Sequence, residues 1–217
     1  YNYIWIGGLS HDVYPNFVDD VAAFSKQCKT TMDEVNRLLT GNSIFARRTK
    51  RIGIIPADVA INFGLSGPMV RASGVKWDIR RDDRYSIYDR FEFEVPVGTD
   101  EDGAVVGDCY NRYIVRVREI EQSLRIIDQA VEHIRQDPAM MEGDVQKDVP
   151  RRVRPAVGEI YSRTETSKGE LGYHIVSDGG GNPYRVKVKP PCFVNLSVMA
   201  EASRGHYVAD LIAIMGS

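Results

Sequence analysis

The sequence predicts an α+β chain that is mainly helical, with two long antiparallel helices and a small antiparallel sheet. Three observations carry that prediction. Residues 16–39 and 110–135 each repeat apolar side chains at three- and four-residue steps, which paints one stripe along a helix. Residues 159–166, 171–177 and 184–189 read as strands separated by glycine-containing turns, the last alternating Tyr184, Val186 and Val188 with Arg185, Lys187 and Lys189. Hydrophobic residues make up 43% of the 217 and charged residues 27%, which suits a packed core in one domain or part of a larger one.

Residues 1–8 form a short aromatic-apolar run ending in Gly7-Gly8. In the first long helix Pro15 supplies a start signal and Gly41 a stop. Phe17, Val21, Phe24, Cys28, Met32, Val35 and Leu39 make its apolar stripe, and Cys28 and Met32 read as core rather than ligands. Residues 43–50 predict a short helix with a basic end, Arg47, Arg48 and Lys50, which is either a solvated face or a hold for phosphate or a partner's acids. Residues 56–64 predict another short helix closing at Gly64.

The stretch 67–98 is unlike its neighbours. Gly67, Pro68 and Gly74 mark turns. Around them Arg71, Lys76, Asp78, Arg80, Arg81, Asp82 and Asp83 mingle with Trp77, Tyr85, Tyr88, Phe91 and Phe93. Buried charges must be paired, so one reading is a semi-buried polar network beside a core, or a surface held against another protein. The other is an ordinary loop with surface ion pairs. Residues 99–106 read as an exposed loop.

Tyr113, Val117, Ile120, Leu124, Ile127, Val131 and Ile134 stripe the second long helix, with Asp108 and Asn111 near its start. At about 1.5 Å per residue it is about 40 Å long. Residues 137–158 lack periodicity and carry Pro138, Pro150, Pro155 and the basic Arg151, Arg152 and Arg154, as a linker or surface strap would. Strands at 159–166 and 171–177 form a hairpin through Ser167-Lys168-Gly169-Glu170. A third strand at 184–189 follows the glycine-rich turn 178–182, and Pro190-Pro191 stops it. Residues 193–202 read as helix or irregular and 206–215 as a final apolar helix. The organisation expected is a helical core portion (1–136), a linker or strap (137–158), and a small sheet followed by a helical segment (159–217).

Several chemistries lack their motifs. A net charge of −2 argues against nucleic acid as a partner. Cys28, Cys109 and Cys192 are far apart and make neither a disulfide framework nor a Cys-x-x-Cys pattern. His11, His133, His174 and His206 show no metal spacing; His133 reads as solvated and His174 as half-buried. There is no phosphate loop and no strand-linked Gly-x-Gly-x-x-Gly, and Asp178-Gly179-Gly180-Gly181 reads as a turn. No apolar run reaches the roughly 20 residues of a membrane-spanning helix. The start at Tyr1 suggests a fragment or processed product.

Long segments carry a resemblance, in order along nearly the whole chain. They are Ser66-Gly67-Pro68-Met69-Val70-Arg71-Ala72-Ser73-Gly74-Val75-Lys76-Trp77-Asp78-Ile79-Arg80, Tyr88-Asp89-Arg90-Phe91-Glu92-Phe93-Glu94-Val95-Pro96-Val97-Gly98, and Gly107-Asp108-Cys109-Tyr110-Asn111-Arg112-Tyr113. Lys168-Gly169-Glu170, Val176-Ser177-Asp178-Gly179, Pro183-Tyr184-Arg185 and Gly205-His206-Tyr207-Val208-Ala209-Asp210 continue it. The chain resembles the 49-kDa-type subunit of respiratory complex I, the NADH-quinone oxidoreductase, with relatives in F420H2 and plastidial NDH complexes. Trp5 and Ile6 depart from the family's Arg and Pro at those positions.

The resemblance implies a core like that of the nickel-iron hydrogenase large subunit, without the metal. It implies a quinone-site subunit of a complex I-type NAD(P)H/F420H2:quinone oxidoreductase, peripheral to the cytoplasmic face of the membrane. Its partners would be an iron–sulfur subunit bearing a 4Fe-4S cluster, other peripheral-arm subunits and a membrane-arm subunit, with quinone as substrate. The chain itself would bind no iron–sulfur cluster, flavin or nickel. The family's His and Tyr quinone ligands would lie before Tyr1 and a Gly-Glu-x-Asp-Arg tail after Ser217, so the chain alone would be inactive, with an exposed apolar patch. The residues singled out as near quinone or cluster are Arg71, Lys168, Glu170, Ser177, Asp178 and Arg185. Lys168, its ammonium held by a carboxylate, would lie nearer the quinone, while Ser177 and Asp178 would fix a turn through side-chain-to-backbone bonds. The alternative is a catalytically silent scaffold that only binds partner subunits.

Overall fold

The computed structural model describes residues 3–99, 103, 105–150 and 152–217. The described chain opens on a hairpin, β1 (Ile4–Trp5) antiparallel to β2 (Gly8–Leu9). The stretch after the second long helix straps back onto it. Val145 accepts from the Leu9 amide at 3.0 Å, and Gly7 accepts from the Lys147 amide at 2.9 Å.

The first long helix, α1 (Phe17–Val35), ends in a π-helical turn at Asn36–Thr40. Four short helices follow: α2 (Ser43–Thr49), α3 (Ala57–Asn62), α4 (Pro68–Ala72) and α5 (Ile79–Asp82). The last two stand where the sequence reads as turns and charges. Pro68 at the first position starts α4, and the Asp78 carboxylate caps α5 by accepting from the Arg80 amide at 3.0 Å. The second long helix is α6 (Cys109–Gln136), capped by Asp108, which accepts from the Asn111 amide at 2.8 Å.

The two long helices lie antiparallel, as expected. Arg135 reaches Asp19 at 2.7 Å, Ser25 and Lys29 reach Asp128 at 2.6 and 2.5 Å, and the Thr40 hydroxyl meets the Tyr113 hydroxyl at 3.0 Å. Their seam differs from the predicted stripe. Phe24 is 57% exposed, Leu39 is exposed, and Ser25 is the buried residue. The facing helix presents Asp128 there, whose carboxylate needs a donor rather than a phenyl ring, and one residue turns a helical side chain by about 100°. On α6, Ile120 is likewise exposed, at the edge of a cleft described below.

The main core lies to one side of this pair. Ile55, Leu65, Met69, Val70, Val198 and Ile214 pack there with the start of α6. A three-stranded antiparallel sheet stands beside it, ordered β3 (Gly158–Thr166), β4 (Gly169–Ser177), β5 (Arg185–Lys189). The hairpin loop holds two residues, Ser167 and Lys168, not the four expected. Gly169 and Glu170 belong to β4, opposite Thr166 and Glu165. The Thr166 hydroxyl donates to the Gly169 carbonyl at 2.8 Å, which tightens the turn. Gly169 has φ +124, and a β-carbon there would lie 2.5 Å from the Ser66 hydroxyl oxygen, so this end of the hairpin is pressed against the loop before α4. The chain finishes through α7 (Pro191–Leu196), α8 (Met199–Ala202) and α9 (Asp210–Gly216). Among the described residues no helix is long and apolar enough to cross a membrane.

Candidate functional site

Arg71 lies on α4, a helix buried along its whole length, and is itself 1% exposed. A guanidinium so placed must be paired and hydrogen-bonded. Its Nε donates to Glu119 Oε1 at 2.6 Å, and its Nη1 donates to Glu165 Oε1 at 3.0 Å and to the Trp77 carbonyl at 2.9 Å. Asp78 Oδ2 stands 3.6 Å away. Three elements therefore converge on one cation: α6 through Glu119, β3 through Glu165, and the cap of α5 through Asp78.

Arg80 completes the network, donating to both oxygens of Asp78 at 3.0 and 2.7 Å with its guanidinium 4.9 Å from the Phe93 ring centre. Burial lowers the Arg80 pKa, but Asp78 and Glu165 outweigh it and hold the group above its ordinary value. Glu165 goes the other way for a carboxylate. Burial and the charge of Asp78 push its pKa up, and Arg71 only partly offsets them. The polar-aromatic stretch is therefore a semi-buried network rather than a loop with surface pairs.

A cleft of about 450 Å³ opens beside this network, walled by Arg71, Arg80, Arg116, Glu119, Glu165 and Lys168. Arg116 and Lys168 also border a second, smaller pocket among apolar side chains. Burial lowers the Arg116 pKa and Arg71 lowers it further, while Glu119 raises it.

The six residues singled out in the sequence divide. Arg71 and Lys168 meet at the cleft. Lys168 is exposed on the hairpin turn, and its carbonyl accepts from Asn195 Nδ2 at 3.0 Å. Among the described residues its ammonium makes no ion pair, so the expected carboxylate partner is not there. Glu170 is not set beside Lys168 either. It is buried on a strand face, where Tyr161 donates to it at 2.5 Å, Lys189 lies at 3.2 Å and Arg163 at 3.5 Å. Burial raises the Glu170 pKa, but Tyr161, Lys189 and Arg163 outweigh it and hold the carboxyl below its ordinary range. The strand alternation that makes Glu170 part of β4 sends its side chain away from the turn.

Ser177, Asp178 and Arg185 lie at the other end of the sheet, roughly 30 Å away along nine-residue strands. Ser177 donates to the Pro155 carbonyl at 3.2 Å and accepts from the Gly179 amide at 3.1 Å. Asp178 accepts from the Gly180 amide at 2.9 Å. These are the side-chain-to-backbone bonds expected of the turn. Arg185 is exposed opposite Val176 and has no ion pair among the described residues.

Sequence reading passes over Glu119, Glu165 and Arg116. A signal exists: Arg112, Arg116 and Glu119 follow one face of α6 at helical spacing, and Glu165 shares a sheet face with Glu170. The histidines do not gather. His133 stacks on Phe91 with ring centres 5.6 Å apart rather than standing in solvent, His174 pairs with Glu159 at 3.1 Å, and His206 accepts from the Gly53 amide at 3.2 Å. Among the described residues no group of three or more His, Cys, Asp and Glu side chains could hold a metal ion.

A helical core carrying a small antiparallel sheet, with a buried arginine network at their junction, is the setting in which the comparisons with known proteins stand. Residues 1–217 match the family described as respiratory-chain NADH dehydrogenase, 49 Kd subunit, and the chain belongs to that family. Among its relatives, the D subunit of the NADH-quinone oxidoreductase of Chlorobium phaeovibrioides is 52% identical over 218 residues, that of Chlorobium luteolum 51% and that of Chlorobaculum tepidum 50%. Each alignment takes in 100% of this chain and 54% of the relative, so the chain spans about half the length of the curated relatives it matches.

Proposed function

We propose that this chain forms part of the quinone-site subunit of a complex I-type oxidoreductase, where it helps enclose the quinone with a neighbouring iron–sulfur subunit. The observation that carries the reading is the family match over the entire chain, together with relatives named as NADH-quinone oxidoreductase subunits at up to 52% identity. The scaffold is that of a nickel-iron hydrogenase large subunit without the metal. It divides into a helical core portion (1–136), a strap (137–158) and a sheet with its following helices (159–217). Its setting is the peripheral arm at the cytoplasmic face of the membrane. The redox centre nearest it is a 4Fe-4S cluster on the iron–sulfur subunit, and further arm subunits and a membrane-arm subunit are its other neighbours.

The roles follow from position. Arg71 is a fixed buried cation that raises the local potential at whatever redox group the junction faces. Lys168, exposed at the cleft rim with no ion pair among the described residues, is the mobile cation that meets charge developing on a reduced quinone. Glu170 braces the hairpin that carries Lys168. Ser177, Asp178 and Arg185 hold or present the far end of the sheet to partners.

The test uses the assembled complex. Lys168→Met lowers quinone turnover per complex and leaves assembly intact, whereas Asp178→Ala lowers the amount of complex and leaves turnover per complex nearly unchanged. Loss of assembly in Lys168→Met with normal turnover in what remains would instead favour a scaffold that only binds partner subunits.

A further inference from the structure

We propose that the outer face of the three-stranded sheet is an interface within the full-length subunit, covered by an apolar element from the part of that subunit outside residues 1–217. The proposal rests on the family membership and is independent of the quinone reading. Alternation gives each strand two sets of side chains, and the registers bring like sets together. Ile160, Ile175 and Val186 stand in one row across β3, β4 and β5, and Ser162, Tyr173 and Val188 in the next. Every charged side chain of the three strands, from Glu159 on β3 to Lys189 on β5, lies on the opposite face.

An antiparallel sheet with one solvated face ordinarily turns its apolar side to the core and its polar side to water. This sheet does the reverse. Its charged face meets the helical body: Glu165 accepts from Arg71 on α4, Arg163 donates to Asp83 just after α5, and Glu170 is buried. Its apolar face looks outward, with Ile160, Tyr173, Val186 and Val188 all exposed. The face carries no charge, so the element that covers it meets it with aliphatic or aromatic side chains, and a charge brought there would be left unpaired.

The size of the face selects the occupant. Three strands about 4.8 Å apart, over the length of β5, make a face of about 14 by 17 Å, or about 240 Å². A stable interface between separate proteins takes about 800 Å² from each partner. A second copy of this chain seated on this face alone would dissociate. An element on the same polypeptide is held at an effective concentration in the millimolar range, and a patch of this size suffices for it. The relatives leave room for such an element: the matched residues make up 54% of the Chlorobium phaeovibrioides subunit, so nearly as much chain again lies outside them.

Two tyrosines make the test internal. Tyr173 on β4 and Tyr161 on β3 lie on opposite faces of neighbouring strands and are 42% and 46% exposed. Hydroxyl-radical oxidation, located by mass spectrometry, follows solvent access to each ring and needs no substitution that might disturb folding. In the 217-residue chain the two should oxidise at comparable rates. In the full-length subunit purified alone, Tyr173 should slow at least about fivefold, as a side chain at the centre of an interface does, while Tyr161 changes less than about twofold. Protection of Tyr173 only in the assembled complex gives the face to a neighbouring subunit or the membrane and overturns the proposal. Protection that grows with the concentration of the 217-residue chain gives it to a second copy and overturns it too. Equal slowing of both tyrosines overturns the choice of face, and an unprotected Tyr173 in every state overturns the interface. Quinone turnover enters none of these readings, so failure here leaves the quinone reading standing.

Discussion

Glu165 and Glu170 face each other directly across the first hairpin of the sheet, yet their environments drive them in opposite directions. Glu165 turns into the junction with the helices. There burial and Asp78 dominate, and its pKa rises despite Arg71. Glu170 is also buried, but Tyr161, Lys189 and Arg163 surround it and its pKa falls. Residue type and strand position are the same, so the difference lies in what the rest of the fold brings up to each. Glu165 must share its cation with two other carboxylates. Glu170 has Lys189 and a phenol, and it shares Arg163 with Asp83 alone.

The largest expected effect comes from removing the cation that Glu165 shares. Arg71→Met leaves Asp78, Glu119 and Glu165 close together in a buried site, and breaking such a pair costs about 3–5 kcal/mol. Denaturant unfolding of the variant and the parent measures it. A loss below about 1 kcal/mol would mean that the carboxylates find other partners and that the comparison is misdrawn.

Gly169 tests the packing that sets the two glutamates in place. Gly169→Ala puts a β-carbon 2.5 Å from the Ser66 hydroxyl oxygen and 2.8 Å from its carbonyl carbon, at φ +124. Strain of this kind costs about 1–3 kcal/mol. The Ser66 hydroxyl also accepts from the Glu170 amide at 3.0 Å, so this bond should loosen first, visible as faster hydrogen exchange at that amide.

The pH dependence separates the glutamates by sign. Glu170 has a folded pKa below its ordinary 4.5, so its stabilisation is complete above 4.5 and is lost as pH falls through the folded value. Glu170→Gln should remove that acid loss. Glu165 has a folded pKa above 4.5, so the folded state holds its proton longer and stability falls as pH rises from 4.5 through the raised value. Glu165→Gln should abolish that fall. Stability measured from about pH 3 to about pH 8 in both variants checks the pair, and a common sign for the two would break the contrast.

Legibility from sequence divides along the same line. The long helices are readable because an apolar stripe records local periodicity, and observed ends fall within a few residues of expectation. The seam is less so. Ser25 replaces Phe24 at the contact because Asp128, 103 residues away, asks for a hydroxyl donor. Arg71 stands out as a charge among rings, but Glu119 and Glu165 lie 48 and 94 residues from it, and no local pattern joins them. The far turn is legible down to its bonds because Ser177 and Asp178 act on amides two residues on. Short-range chemistry is written in short-range sequence, and the cleft is assembled from distant segments.

The smallest expected effect sharpens the comparison most. The Tyr161 hydroxyl donates to Glu170 at 2.5 Å, and it is the one uncharged group among those that set Glu170 apart from Glu165. Burial raises the phenol's own pKa, and the bond to Glu170 and that residue's charge raise it further, to about 12. Tyr161→Phe removes the bond while keeping the ring against Gly172. Tyr161 is 46% exposed, so the stability loss near neutral pH should be no more than about 1 kcal/mol. Two changes should accompany it. The Glu170 pKa should rise toward that of Glu165, moving the acid loss of stability to higher pH. The alkaline loss should also shrink: with Tyr161 present, the folded state keeps the phenol's proton above its ordinary 10.0, so stability drains as pH rises from 10.0 toward about 12. Carboxyl NMR titration of Glu170 and the ultraviolet titration of tyrosinate read the two directly. If the Glu170 pKa stays where it was, Lys189 and Arg163 alone hold it down, and the contrast between the two glutamates is one of cation count only.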